Sequence, residues 1–169
     1  MLFRSLKGKR VEDSRVESTH LMMPNFANPA GKIYGGTILS LADSVAYMCA
    51  ARHSTPNCVT VSVDQVDFRE TIEIGEVVVF KACVNYVGRT SMEVGIRLES
   101  ENLKTGLRRH TNSCYFTMVA IGEDGKPTPM PPLITETTDE KRRFQEGRIR
   151  REHAKELSEK RRVLRERNA

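Results

Sequence analysis

Between Ile38 and Ala50 the residues Ile38, Leu39, Leu41, Ala42, Val45, Ala46, Met48, Cys49 and Ala50 point in nearly every direction around a helical axis. A helix that is apolar all round must be buried all round, so the rest of the chain has to wrap around this run. A paired glycine, Gly35-Gly36, opens the helix, and one carboxylate, Asp43, interrupts it. A carboxylate there is costly unless it is paired, hydrogen-bonded or used chemically. The simpler alternative is that Asp43 reaches solvent through a gap. The glycine pair weighs toward use. It lets a ligand approach the unpaired N–H groups of the first turn, Gly36 and Thr37, where the helix dipole favours developing negative charge. An oxyanion site one or two turns from a carboxylate base suits acyl transfer.

The surrounding pattern supplies the wrapping. Arg15 to Met22 alternates loosely as a first strand, and a Pro-, Asn- and Gly-rich loop leads into the helix, which ends near His53 at the breaker Ser54-Thr-Pro-Asn57. Four strand-like runs follow. Val59, Val61 and Val63 alternate with polar residues, then the apolar phase slips to Val66 and Phe68, which predicts a bulge or bend near Gln65. Glu76 to Val87 is nearly continuously apolar, as in a central strand. After the turn Gly88-Arg89-Thr90, Met92, Val94, Ile96 and Leu98 alternate with Glu93, Gly95, Arg97 and Glu99, which predicts one buried and one solvated face. Leu107 to Ile121 is the last strand. The fold class is therefore α+β, with an antiparallel sheet of about five strands wrapped around one long helix. A single sheet cannot cover that helix on every side, so a dimer with sheets paired edge to edge is expected.

The segments divide as an N-terminal extension (1–14), the core domain (15–133) and a C-terminal strap and charged helical tail (134–169). Thr137 with Glu140 is a capping-box signature opening a Glu/Lys/Arg-rich helix. Residues 139–169 hold 12 Lys/Arg against 7 Asp/Glu, while the rest of the chain holds 15 of each. The basic excess therefore sits wholly in the tail. A solvated helix laced with i,i+4 ion pairs explains that pattern. Nucleic-acid or acidic-partner binding is the alternative, but no aromatic interleaving supports it and no nucleic acid is expected. Phe144 as a docked anchor is compatible with either. The four cysteines lie in apolar or strand-like runs with no C-x-x-C and no clustered histidines. This points to reduced thiols in a cytoplasmic protein and against a metal site. No apolar run approaches the roughly 20 residues that span a bilayer, and the basic start carries no signal-peptide core.

Asn28-x-x-Gly31, Tyr34-Gly-Gly-Thr-Ile-Leu, Ala42-Asp43, Ala51-Arg-His53, Val59-Thr-Val-Ser-Val-Asp64, Phe68 and Gly88-Arg-Thr-Ser91, in this order and spacing, resemble the hotdog-fold acyl-CoA thioesterases. The similarity is to the branch with brain-type acyl-CoA hydrolase and its single-domain bacterial relatives. It runs from about Val16 to Gly147. It implies that Asp43 matches the acid that acts on the thioester and Asn28 the loop Asn that faces it across a dimer interface. One copy holding both residues should homodimerise, with two shared sites, and relatives are commonly hexamers built as trimers of dimers. The substrate would be acyl-CoA, with no separate cofactor. Tyr34 departs from the His or Phe frequent before Gly-Gly, which bears on acyl-chain preference.

Hydrolysis of a thioester needs little machinery. Asp43 would orient and deprotonate a water, or attack directly through an anhydride. Gly36 and Thr37 N–H groups would hold the oxyanion beside Gly35, and Asn28 would fix the water or thioester. Thr60 could help position the water or be an ordinary strand residue. Arg89, with Thr90 and Ser91, suits the coenzyme A phosphates, although an exposed turn arginine needs no ligand. Arg52 and His53 are read as cations at the helix C-terminus. Two other classes compete: a non-catalytic acyl-CoA sensor with the basic tail as output element, and a hotdog dehydratase. The latter resembles a His-containing helix motif that this chain lacks before His53.

Overall fold

The computed structural model describes residues 6–54, 57–64, 66, 68 and 70–167. One long helix, α1 (Gly35–His53), lies against a five-stranded sheet formed by β2 (Val16–Leu21), β3 (Asn57–Val63), β4 (Val77–Val87), β5 (Ser91–Glu101) and β6 (Arg108–Ile121). The strand order is β2-β4-β5-β6-β3 and every neighbouring pair is antiparallel. Short turns between β4, β5 and β6 produce a meander. The helix connection between β2 and β3 carries these two strands to opposite edges of the sheet. Two further short strands, β1 (Lys9–Arg10) and β7 (Leu133–Ile134), pair in parallel, and α2 (Thr138–Arg167) ends the described chain.

The inner sheet face meets one side of α1. Ile38, Ala42, Val45, Ala46, Cys49 and Ala50 are buried against Phe80, Met92, Ile96, Phe116 and Met118. The other side of α1, with Asp43, Ser44, Tyr47 and Met48, is open in the protomer. The expected burial all round is thus met on the sheet side alone. The strand carries a bulge at Val61, where register shifts between Thr60 and Ser62, inside the run expected to alternate regularly and ahead of the bend expected near Gln65. Gln65 itself lies outside the described residues.

The outer sheet face departs from expectation. Glu93 and Gly95 of β5 are not solvated, because the first half of α2 lies over them. Phe144 packs its ring on Tyr86 at 5.1 Å. Gly147 is buried where a Cβ would stand 2.9 Å from the Tyr86 Cβ, so only glycine allows this approach. Arg150 forks onto Glu93 with bonds of 2.9 and 2.8 Å. The capping box closes as expected. Glu140 N–H donates to Thr137 Oγ1 at 3.2 Å, and Thr137 N–H donates to Glu140 Oε2 at 3.0 Å. The second half of α2 is exposed and carries ion pairs such as Arg162 with Glu159 and Glu166.

The C-terminus of α1 is also capped differently. Lys9 Nζ donates to the Arg52 carbonyl at 2.6 Å, and Arg52 turns away to donate to the Arg15 carbonyl at 2.7 Å. His53 is fully buried with Nε2 2.9 Å from the Pro131 carbonyl. A carbonyl only accepts, so Nε2 carries the proton. Burial holds the ring's pKa below its ordinary value, which makes His53 a neutral tie to the proline strap and not a charged cap. No helix among the described residues is long and apolar enough to cross a membrane.

Arg109 braces the segment before β4. Its guanidinium donates to Glu76 at 2.8 and 2.9 Å and to the Thr71 carbonyl at 2.9 Å. Glu76 is buried, and a buried carboxylate stripped of its partner is strongly destabilising. Because Arg109 itself is partly exposed, Arg109→Met should cost about 2 kcal/mol, read as a lower denaturant midpoint at fixed protein concentration. Glu76→Gln in the same background should recover part of the loss.

Candidate functional site

The open side of α1 meets the edge strand β3 at one polar contact. Thr60 Oγ1 donates to Asp43 Oδ1 at 2.6 Å, and the Met118 sulfur lies 3.3 Å from the same hydroxyl. A hydroxyl has one proton, and a carboxylate is the stronger acceptor, so the bond to Asp43 takes it. The unbroken pairing of Cys58 with Ala120 and Thr60 with Met118 sets Thr60 facing inward, and the bulge at Val61 changes the phase only after it, where Ser62 pairs with Thr117. Asp43 is exposed in the protomer, so one carboxylate oxygen is fixed by Thr60 and the group remains accessible.

At the start of α1, Tyr34 is the N-cap and gives no side-chain cap. Its own N–H is taken by the Phe26 carbonyl, and the first helical bond is Ile38 N–H to the Tyr34 carbonyl at 3.3 Å. Among the described residues, nothing accepts from the N–H groups of Gly35, Gly36 and Thr37. A Cβ at Gly36 would meet nothing within 4 Å, whereas one at Gly35 would stand 3.1 Å from the Phe68 ring. Gly35 therefore admits Phe68 against the helix start, and Gly36 faces open space. The approach to this turn is braced. Lys32 pairs with Glu73 at 2.5 Å, and Ile33 N–H donates to the Ile72 carbonyl at 3.0 Å.

Asn28 sits in the tight turn before the helix. Its Oδ1 accepts from the N–H groups of Ala30 at 2.9 Å and Lys32 at 3.1 Å, and Gly31 closes the turn with φ of 75°. Its Nδ2 donates to nothing among the described residues. Asn28 is not joined to Asp43 within the protomer. Thr60, by contrast, is brought to Asp43 directly.

The turn carrying Arg89 and Thr90 lies at the same end of the sheet as Thr60. Ser91 pairs with Val119, and Val119 with Val59, so two strand spacings, about 10 Å, separate the turn from β3. Arg89 is exposed. Ser91 is not available with it. It is buried on the outer-facing phase of β5 and lines a small void with Arg150 and Ala154. Around Asp43 the surface is apolar, with Tyr47 46%, Met48 40% and Val61 61% exposed. An unpaired edge strand beside such a surface is a template for association.

The chain matches the model of the thioesterase superfamily over residues 30–107. It is 49% identical over 133 residues to protein VdlD of Helicobacter pylori, covering 79% of this chain and 75% of that one. It is 36% identical over 129 residues to an uncharacterized acyl-CoA thioester hydrolase, YkhA, of Bacillus subtilis, covering 76% and 75%. Its fold superposes on the crystal structure of an apo-hexameric acyl-CoA thioesterase with a TM-score of 0.86 at 38% identity, covering 90% of this chain and 98% of that one.

Two features escape sequence reasoning. The Phe68 contact on Gly35 is hidden because nothing local links a loop aromatic to a glycine 33 positions earlier. The pairing of Arg109 with Glu76 has one faint signal, an acid placed against a continuous apolar strand. The cysteines offer no nucleophile. Burial pushes the thiols of Cys49 and Cys114 up to about 12, and raises those of Cys58 and Cys83. A disulfide reagent applied at about pH 8 should label Cys83 slowly and leave Cys49, Cys58 and Cys114 untouched until the protein unfolds.

Proposed function

The chain belongs to the thioesterase superfamily, and we propose that it hydrolyses acyl-CoA to a free carboxylic acid and coenzyme A at Asp43. The observation that carries this reading is the 2.6 Å bond between Thr60 and Asp43, on an open helix face whose N-terminal N–H groups are unclaimed. Thr60 fixes one carboxylate oxygen, which leaves the other to orient a water and take its proton as it attacks the thioester carbon. The carbonyl oxygen then gains charge, and the N–H groups of Gly36 and Thr37 stabilise it. The tetrahedral species collapses with loss of the thiolate of coenzyme A, and the proton held on Asp43 is returned to the leaving sulfur. A general base is worth typically about 10²–10⁴-fold, and an oxyanion donor about 10²–10³-fold.

Groups left without a partner in the protomer support a site shared between two subunits: the Nδ2 of Asn28 donates to nothing among the described residues, and the side of α1 that carries Asp43 is open. In this reading the helix start and Asn28 of one subunit serve Asp43 of another, and the unclaimed Nδ2 of Asn28 is directed at that partner's water or thioester. The open face of α1 and the edge β3 supply the surface for a homodimer. The hexameric structural neighbour supports a homo-oligomer. Arg89 and Thr90, at the same sheet end, would meet the phosphates of coenzyme A.

The test is thiol release from an acyl-CoA series, acetyl to palmitoyl. Asp43→Asn should lose about 10²–10⁴-fold in kcat while still binding substrate and keeping its oligomeric mass. Turnover unchanged in a folded Asp43→Asn variant would remove Asp43 from the mechanism. A wild type that binds acyl-CoA without any turnover would make the protein a sensor. Separately, Val61→Lys should block edge pairing and shift the mass in solution toward monomer, with activity lost in parallel because each site needs two subunits.

A further inference from the structure

We propose that the second half of α2 reaches past the β3 edge and docks on a second copy of this chain, clamping the dimer from the outer side of the sheet. The proposal rests on the homodimer through β3 set out above and adds a second contact to it. The path of the helix points there. Phe144 packs on Tyr86 of β4. At Gly147 a Cβ would meet both Tyr86 of β4 and Glu93 of β5, at 2.9 and 3.0 Å. Arg150 forks onto Glu93, and its guanidinium carbon lies 3.8 Å from the ring centroid of Tyr115 in β6. Arg151 and Ala154 line a small void with Thr117 of β6 and with Asp64, the residue that follows β3. The strand order runs β4-β5-β6-β3, so α2 crosses the outer face toward the β3 edge.

The lengths agree with that path. From Phe144 to Ala154 the helix rises about 15 Å, and the three strand spacings from β4 to β3 come to about 14 Å. The helix has therefore used up its own sheet by Ala154, yet it continues to Arg167. Residues 155–167 extend about 20 Å further, and all of them except Val163 are exposed. Leu157 and Leu164, one heptad apart and so on one flank of the helix, are 50% and 58% exposed.

A helical segment of this length is marginal in water without a surface to pack on, and exposed ion pairs such as Arg162 with Glu166 contribute little each. A β3 edge paired with its twofold mate continues the sheet beyond the protomer. The surface in the path of the overhang is then the outer face of the partner, and about four strand spacings of it lie within reach. The contact is isologous, each subunit covering the other in the same way. Charge favours a protein surface over a polyanion, since Glu156, Glu159 and Glu166 are interspersed with Lys160, Arg161 and Arg165. The helix passes on the face of the sheet opposite to Asp43. The clamp therefore sets how tightly the subunits hold and leaves the chemical step alone.

The test is hydrogen exchange of residues 155–167 in the full chain, compared between wild type and Val61→Lys, with the mass of each in solution. The clamp predicts amides slowed by at least about 10-fold in the wild-type oligomer and released in the dissociated variant. Leu157→Glu combined with Leu164→Glu should raise the dissociation constant of the dimer by about 10-fold or more. Its kcat should stay within about twofold at protein concentrations that keep the dimer saturated. Fast exchange in both wild type and Val61→Lys makes the segment a solvated helix and overturns the proposal. Slow exchange that survives loss of the edge partner assigns the segment to another contact and also overturns it, as does an unchanged dissociation constant in the double variant. The mass reads the dimer edge by itself. A Val61→Lys that keeps the wild-type mass removes that edge and the clamp with it. One that dissociates with unaltered exchange leaves the edge standing and removes the clamp alone.

Discussion

A helix as apolar as α1 cannot remain half covered, and this constraint governs both the architecture and the chemistry. The sheet curls over Ile38, Ala42, Val45, Ala46 and Cys49, but a single layer has only one concave side. The opposite side of the helix and the edge β3 are left to be closed by another body. The polar contact of Asp43 with Thr60 lies on that unclosed side. In the proposed reading assembly and catalysis are coupled by geometry, because whatever covers the helix also forms the second wall of the site.

Within the protomer, unused polar groups gather in the same region. The first-turn N–H groups of α1 and the Nδ2 of Asn28 have no acceptor among the described residues, and Gly36 faces open space. Elsewhere the buried charges are matched, although His53 Nδ1 and Asn112 Nδ2 are buried without a partner among the described residues. Glu76 is held by Arg109, Glu93 by Arg150 and Asn85, and His53 by the strap carbonyl. The first-turn donors and that of Asn28 are open to solvent in the protomer, and in the proposed reading the substrate takes them.

The inner half of this design is legible in the sequence, because apolar periodicity reports burial on one face at a time. The helix, the four strands after it and the capping box at Thr137 all follow from local pattern. The candidate acid follows from the same logic, as the one charge in an apolar run. The outer half is not legible. Glu93, Gly95 and Arg97 read as a solvated strand face, and Arg148, Arg150 and Arg151 as a solvated helix face. Each is polar alone, and only their docking turns Glu93 and Arg150 into a buried pair. Ser91 is misplaced by the sequence for the same reason, being drawn under α2 and away from Arg89. The bulge at Val61 is also hidden, since Val59, Val61 and Val63 alternate with polar residues without a break across it. His53 reads as a cationic cap because sequence does not report the burial that keeps it neutral.

The pairing of Lys9 with Leu133 has a consequence for the order in which the fold closes. A chain made from its N-terminus presents β1 long before β7 exists, so this pair must wait for the whole meander between them. Until then Lys9 has no strand to hold it near the last carbonyls of α1, and the strap that ties His53 has not been made. Contacts between residues far apart in sequence form late because loop closure has to precede them. The C-terminal end of α1 is thus sealed last, by a latch whose two halves come from the ends of the core, and the central helix is open at one end for most of its synthesis.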